Sequence, residues 1–220
     1  DNDTTSTKNA HQKILSEFRN SLPGILVGTQ MIAKGHDFEN VVLVGIVDAD
    51  QSLYHADYRS TERTFQLITQ VAGRAGRSES EGKVVLQTYS PRHYVYKFAS
   101  NYDYKGFFRK EENIRQTAQF PPFTRILRVL FADHDENYVR ELLKICYTEI
   151  EKLKEKYGDD LIYLDAMKSP IKRLQDKYRY QIMMRFTLDR ADEIEEDVFN
   201  IVDKSSKNSV FFEVNPQNLS

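Results

Sequence analysis

The period of the apolar positions changes several times along the chain, and each change marks an element. Ile14, Leu15 and Phe18 share one face of a 3.6-residue repeat from about Thr7 to Asn20, with Thr5 or Ser6 placed to cap that helix and Pro23-Gly24 to end it. Ile25 to Val27 then reads as a short buried strand. Val41 to Val47 is an unbroken apolar run rich in β-branched residues, the pattern of a central parallel strand covered on both faces. Thr61 to Thr69 is amphipathic at helical spacing, Lys83 to Thr88 is the next strand, and Ser90-Pro91 opens another helix. This alternation predicts an α/β layer with a parallel sheet, in which function gathers at the carboxyl ends of strands. Tyr94 to Gln119 is helical, and its aromatic stripe (Tyr96, Phe98, Phe107 among others) suits packing. Phe120-Pro-Pro-Phe123 stops any helix and sets a domain boundary, giving 1–118 and 119–220, with connecting helices from about residue 91. Beyond it the pattern reads strand (Thr124 to Phe131), helix (Glu136 to Tyr157), strand (Leu161 to Met167), strand (Tyr178 to Leu188), helix (Ala191 to Lys204) and strand (Val210 to Val214). That βαββαβ order predicts an α+β domain of the ferredoxin-like arrangement.

Composition narrows the partners. The chain has 220 residues, enough for one large or two modest domains, and its formal net charge of -2 excludes a uniformly basic nucleic-acid coat. Any contact to DNA must come from a local patch. The single cysteine, Cys146, lies on the apolar side of a helix; it excludes an internal disulfide framework and a cysteine-rich zinc cluster within this chain, and no metal site is expected. With no long apolar run and no signal-peptide pattern, the expectation is a soluble, cytoplasmic protein. Asp1-Asn-Asp-Thr-Thr5 opens without methionine, which leads us to expect a C-terminal piece of a longer protein.

Two stretches carry candidate chemistry. Gln70-Val-Ala-Gly-Arg-Ala-Gly-Arg77 follows the amphipathic run and reads as the loop ending a helix. It aims the guanidinium forks of Arg74 and Arg77, each preceded by glycine, from a short flexible backbone, which suits a polyphosphate. Alone, the same residues would make a flexible basic surface loop. The second stretch, between Lys168 and Arg185, sets Lys168, Lys172, Arg173, Lys177, Arg179 and Arg185 against Asp176. Strand alternation puts Lys177, Arg179, Gln181, Met183 and Arg185 on one face, a cationic stripe, and Tyr178, Tyr180, Ile182, Met184 and Phe186 on the other, as core. A stripe of this kind would hold DNA through phosphates, with strong salt dependence; on composition alone it equally suits the solvated face of an edge strand.

Ile25 to Phe38, with Gly28-Thr29 and Lys34-Gly-His-Asp37, resembles motif V of superfamily 2 helicases, and Gln70 to Arg77 resembles their motif VI. Thr29 to Phe38, Ala56 to Arg63, motif VI and Phe120 to Phe123 resemble, in that order, the PriA family of bacterial replication-restart helicases. The resemblance implies a partial RecA-like second motor lobe followed by a DNA-binding domain. It implies Arg77 as arginine finger, Arg74 as its companion and Gln70 as the residue orienting nucleotide or water, a device worth on the order of 10³ to 10⁵ in turnover. It places Gly35, Asp37 and Gly73 near the nucleotide, and Thr29 and Lys34 with Lys172, Arg173, Lys177, Arg179 and Arg185 on DNA. Without the resemblance, Asp37 and Thr29 would pass for turn and cap residues. The implied cofactors are ATP and magnesium, with zinc held elsewhere in the intact protein. The implied partners are forked or single-stranded DNA, a single-stranded-DNA-binding protein and primosome proteins. No G-x-x-x-x-G-K-[ST] occurs in the chain, so it is expected to hydrolyse no ATP alone. Two rivals are a repair translocase of the same superfamily and a noncatalytic nucleic-acid adaptor.

Overall fold

The structure is a computed structural model and describes residues 10–21, 23–29, 41–55, 57–75, 82–205 and 210–216. Two compact units emerge, one of residues 1–54 and 59–107, the other of residues 55–58 and 108–220.

The first unit holds α1 (Ala10–Asn20), β1 (Leu43–Ile46), α2 (Ser60–Ala72), β2 (Lys83–Leu86), α3 (Tyr94–Ser100) and the first turn of α4 (Tyr104–Thr117). β1 and β2 pair in parallel, Leu43 opposite Lys83 and Ile46 opposite Leu86. Their inner side meets a core of Ala49, Phe65, Ile68, Val95, Tyr96, Ala99 and Phe107, in which the Phe65 and Phe107 rings stack with centroids 4.2 Å apart. Three expectations need correction. β1 is covered on one face only: Leu43 remains 58% exposed, because among the described residues only the α2 and α3 side supplies apolar partners. Ile25 to Val27 forms no strand, and Ile25 is 91% exposed; an apolar triplet becomes a strand only where a neighbour completes its hydrogen bonds. The helix expected at Ser90-Pro91 begins at Tyr94, because the His93 ring accepts a hydrogen bond from the Val95 N–H and so caps it.

The second unit is the predicted βαββαβ fold. β3 (Thr124–Asp133), α5 (Glu136–Glu151), α6 (Leu153–Tyr157), β4 (Tyr163–Leu174), β5 (Lys177–Thr187), α7 (Ala191–Ser205) and β6 (Val210–Val214) build an antiparallel sheet of order β4-β5-β3-β6. Leu127, Val129 and Phe131 of β3 and Ile182, Met184 and Phe186 of β5 face Val139, Leu142, Cys146 and Ile150 of α5 and Ile194, Val198 and Val202 of α7. Asp135 caps α5 by accepting from Asn137 and Tyr138 N–H. The hairpin strands run further than the sequence pattern predicts, β4 on to Leu174 and β5 from Lys177. Ser169-Pro170 reads as a loop in sequence; in the fold the register shifts between Lys168 and Arg173, and an irregularity absorbs the proline that cannot donate to a ladder. Gln175 (φ 50°) and Asp176 (φ 61°) close the hairpin with both central residues left-handed, the backbone of a type I′ turn.

Candidate functional site

Helix α2 carries the start of the Gly-Arg motif. Its buried side, Ser60, Thr64, Phe65, Ile68 and Ala72, faces the core and turns Gln70 outward. Gln70 therefore lies in the last helical turn and not in a loop, because the helical bonding runs on to a Gly73 N–H to Thr69 carbonyl bond of 3.0 Å. Gly73 sits at φ -65°, so glycine's left-handed freedom is not used there. The next two residues tighten the chain into a 3₁₀ turn, with Arg74 and Ala75 N–H bonded to the Val71 and Ala72 carbonyls at 3.0 and 3.1 Å. Gln70 and the half-buried Arg74 thus leave the same end of one helix. Thr29 is exposed in the irregular segment after Val27. Lys34, Gly35, Asp37 and Arg77 lie outside the described residues.

The β4–β5 hairpin brings Lys168, Lys172, Arg173, Lys177 and Arg179 together around its turn. Arg173 lies over the Tyr178 ring, 5.1 Å from its centroid, and 3.2 Å from the Asp176 carboxylate. Lys168 is 3.6 Å from Glu136, whose carboxyl is held below its ordinary value by the Tyr180 hydroxyl and further by Lys168. Among the described residues, Lys172, Lys177 and Arg179 have no carboxylate partner. Four acids of α7 are engaged: Asp192 and Glu195 accept from Arg125 at 2.7 and 3.2 Å, Glu193 accepts from Arg190, and Asp197 accepts from Lys156 and Tyr157. Positive charge is therefore available at the hairpin.

Arg185 departs from the expected stripe. The alternation of β5 holds, but its second face is covered: Gln181 is 1% exposed, and Met183 is buried with Ile126, Arg128 and Leu130 of β3. The Arg185 guanidinium lies 4.5 Å from the Phe120 ring centroid, and Phe120 stacks on Tyr58 at 5.7 Å with planes 9° apart. Arg115, bonded to the buried Glu111 at 3.1 Å, lies 5.2 Å from the Tyr58 centroid. Burial lowers the pKa of Arg185, and its Nε is buried with no hydrogen-bond partner. Arg185 ends a stacked column of two guanidinium groups and two rings, away from the open cations. Alternation gave the correct face but could not show that Phe120 covers it.

Sequence reasoning also missed Asp50. Its carboxylate is 2% exposed and accepts from Thr88 Oγ1 at 2.8 and 2.9 Å, from Tyr89 N–H at 2.6 Å and from the Tyr96 hydroxyl at 2.9 Å. Burial pushes its pKa up, but these bonds and the nearby His93 outweigh burial and hold it below the ordinary value. Burial first, and the Asp50 charge with it, pushes the Tyr96 phenol up to about 12. A signal was present: Asp50 and Thr88 follow adjacent parallel strands, where side chains converge. Among the described residues, no group of three or more His, Cys, Asp or Glu side chains is arranged to hold a metal ion, and no helix is long and apolar enough to cross a membrane.

Comparison with known proteins agrees with both units. The family model for the helicase conserved C-terminal domain matches residues 3–79, and that for the primosomal protein N C-terminal domain matches residues 116–217. The chain is 44% identical over 186 residues to the replication restart protein PriA of Bacillus subtilis, covering 84% of this chain and 23% of that protein. It is 38% identical over 186 residues to the PriA of a Synechocystis strain (84% and 22%), and 35% identical over 226 residues to that of Haemophilus influenzae (100% and 30%). The chain thus spans about a quarter of the length of the curated relatives it matches. With a helicase C-terminal domain followed by a primosomal protein N C-terminal domain, and with this identity across most of its length, the chain belongs to the PriA family of replication restart proteins.

Proposed function

We propose that this chain is the nucleotide-closing and fork-holding part of an ATP-dependent 3′ to 5′ DNA helicase that restarts stalled replication by primosome assembly. The observation that carries the reading is the basic β4–β5 hairpin, with Lys172, Lys177 and Arg179 unneutralised, in the same chain as a helicase motif on α2. Residues 1–118 would act on nucleotide and residues 119–220 on DNA. When bound, ATP would supply the free energy of lobe closure and magnesium would shield its phosphates. Gln70 and Arg74, leaving one helix end, fit a polyphosphate as donors, with Arg77 as the finger. Among the described residues no arrangement of acids fits the metal, which would be held by another lobe. Thr29 and Lys34 would contact the strand backbone. The partners proposed are forked or single-stranded DNA, a single-stranded-DNA-binding protein and primosome proteins, in the cytoplasm at the nucleoid.

Filter binding with labelled forked DNA, competed by single strand and by blunt duplex, tests this reading. The fork is expected to resist both competitors, and the chain alone to hydrolyse no ATP. Equal competition by all three DNAs would refute fork recognition, and ATP turnover by the isolated chain would refute the division of labour.

A further inference from the structure

At the carboxyl ends of β1 and β2 the chain holds two tyrosines in solvent. Tyr89 is 82% exposed and Tyr54 is 73% exposed, yet neither sits on a slack loop. The Tyr89 backbone N–H is fixed on the buried Asp50 carboxylate at 2.6 Å, Ser90 N–H is bonded to Thr88 Oγ1 at 2.9 Å, and the Tyr54 hydroxyl lies 3.0 Å from Ser90 Oγ. Leu53 and Tyr54 N–H both bond the Asp50 carbonyl, at 2.9 and 3.3 Å, so one residue anchors both tyrosine segments. Beside them is an open depression of about 390 Å³ lined by Tyr89, Ser90, Pro91, Arg92 and His93. The Asp50 carboxylate that holds the Tyr89 N–H is buried and engaged by Thr88, Tyr89 and Tyr96, and Arg92 and His93 add a guanidinium and an imidazole to the lining.

Exposed aromatic faces on an anchored backbone, beside an exposed guanidinium, match a nucleobase with its phosphate: the base stacks, the cation takes the phosphate, and no sequence is read. We propose that Tyr89 and Tyr54, with Arg92, form a stacking site for a nucleotide unit, supplied by single-stranded DNA passing the carboxyl edge of the β1–β2 sheet. The site rests on the reading of this chain as part of a DNA motor, and it is separate from the β4–β5 hairpin.

The test uses the 220-residue chain and a short oligothymidylate carrying one photoreactive 5-iododeoxyuridine, with crosslinks mapped by mass spectrometry and affinity measured by anisotropy. Wild type should crosslink at Tyr89 or Tyr54. Tyr89→Ala should lose that adduct and bind about tenfold more weakly, and Tyr89→Phe should behave as wild type. The Tyr89 side chain is exposed and only its backbone is anchored, so the fold survives either change. Competition separates the sources: if a thymidine mononucleotide or ATP displaces the oligonucleotide at equal concentration of sites, free nucleotide is the ligand and the strand assignment falls. Unchanged affinity in Tyr89→Ala, with binding still lost in Lys177→Ala/Arg179→Ala, overturns the stacking site and leaves the hairpin standing. Absence of oligonucleotide binding by wild type overturns both.

Discussion

Replacing Asp50 removes one acceptor from three donors at once. In Asp50→Ala the Thr88 and Tyr96 hydroxyls can turn toward each other, but the Tyr89 N–H is fixed by the backbone and points into the space the carboxylate leaves. A buried donor left without a partner costs about 1–3 kcal/mol, and the lost charge-assisted bonds add to it, so the first unit should lose about 3 kcal/mol. Asp50→Asn keeps an oxygen for the Tyr89 N–H and turns its amide toward hydroxyl oxygens that can accept, so its cost should be about 1 kcal/mol. Against a total stability of about 5–15 kcal/mol, the alanine variant is the severe one. Two units make a global unfolding curve ambiguous, so the assay is amide hydrogen exchange by NMR, read at Tyr89, Val95 and Tyr96 in the first unit and at Val129 and Ile182 in the second. Exchange should speed up by about two orders of magnitude in the first unit and stay unchanged in the second. Equal protection in Asp50→Ala and wild type, or an Asp50→Asn variant as damaged as the alanine, would refute the argument.

Three further outcomes are expected. Because the folded-state pKa of Asp50 is depressed, its stabilisation is complete above the ordinary value of 3.8 and is lost as pH falls through the folded value; protection of the first unit should therefore drop below about pH 3.8, and that component should be absent in Asp50→Ala. Gly106→Ala places a Cβ 2.6 Å from the Phe98 ring and against the Asp103 carboxylate, so amide exchange at Val95 and Tyr96 should report a loss of about 1–3 kcal/mol, while unchanged protection there would contradict the packing at that turn. Phe120→Ala removes the ring between Tyr58 and Arg185 and should destabilise the second unit by about 2 kcal/mol, with Phe120→Leu costing about 1; equal amide protection at Val129 and Ile182 in all three proteins would deny the stacked column any energetic role.

The ferredoxin-like half was legible because its elements follow short-range rules. Thr124 to Phe131 falls within β3, the strand from Tyr178 alternates, Asp135 stands where a cap belongs, and Val210 to Val214 matches the last strand residue for residue. What failed required knowledge of long-range neighbours. Nothing near Ile25 reveals that its strand partner is missing among the described residues, and nothing near Arg185 reveals Phe120 lying across it, 65 positions away in sequence. The hairpin extension was hidden by Pro170, which local rules send to a loop while the fold accommodates it in an irregular register. At the candidate sites, the cationic cluster was readable as composition. Its separation into an open group at Lys172, Lys177 and Arg179 and a stacked group at Arg185 came only from the packing of the sheet.

The central claim is that the β4–β5 hairpin holds forked DNA by its open cations. Fluorescence anisotropy of this chain with labelled fork, single strand and blunt duplex, across a salt series and beside Lys177→Ala/Arg179→Ala, tests it most directly. The account predicts tightest binding to the fork, steep weakening with salt, and a log–log salt slope reduced by about 1.4–1.8 in the double variant, with fork preference lost. Equal affinity and equal slope in the two proteins would contradict it, and would leave the helicase motif on α2 as the functional surface of the chain.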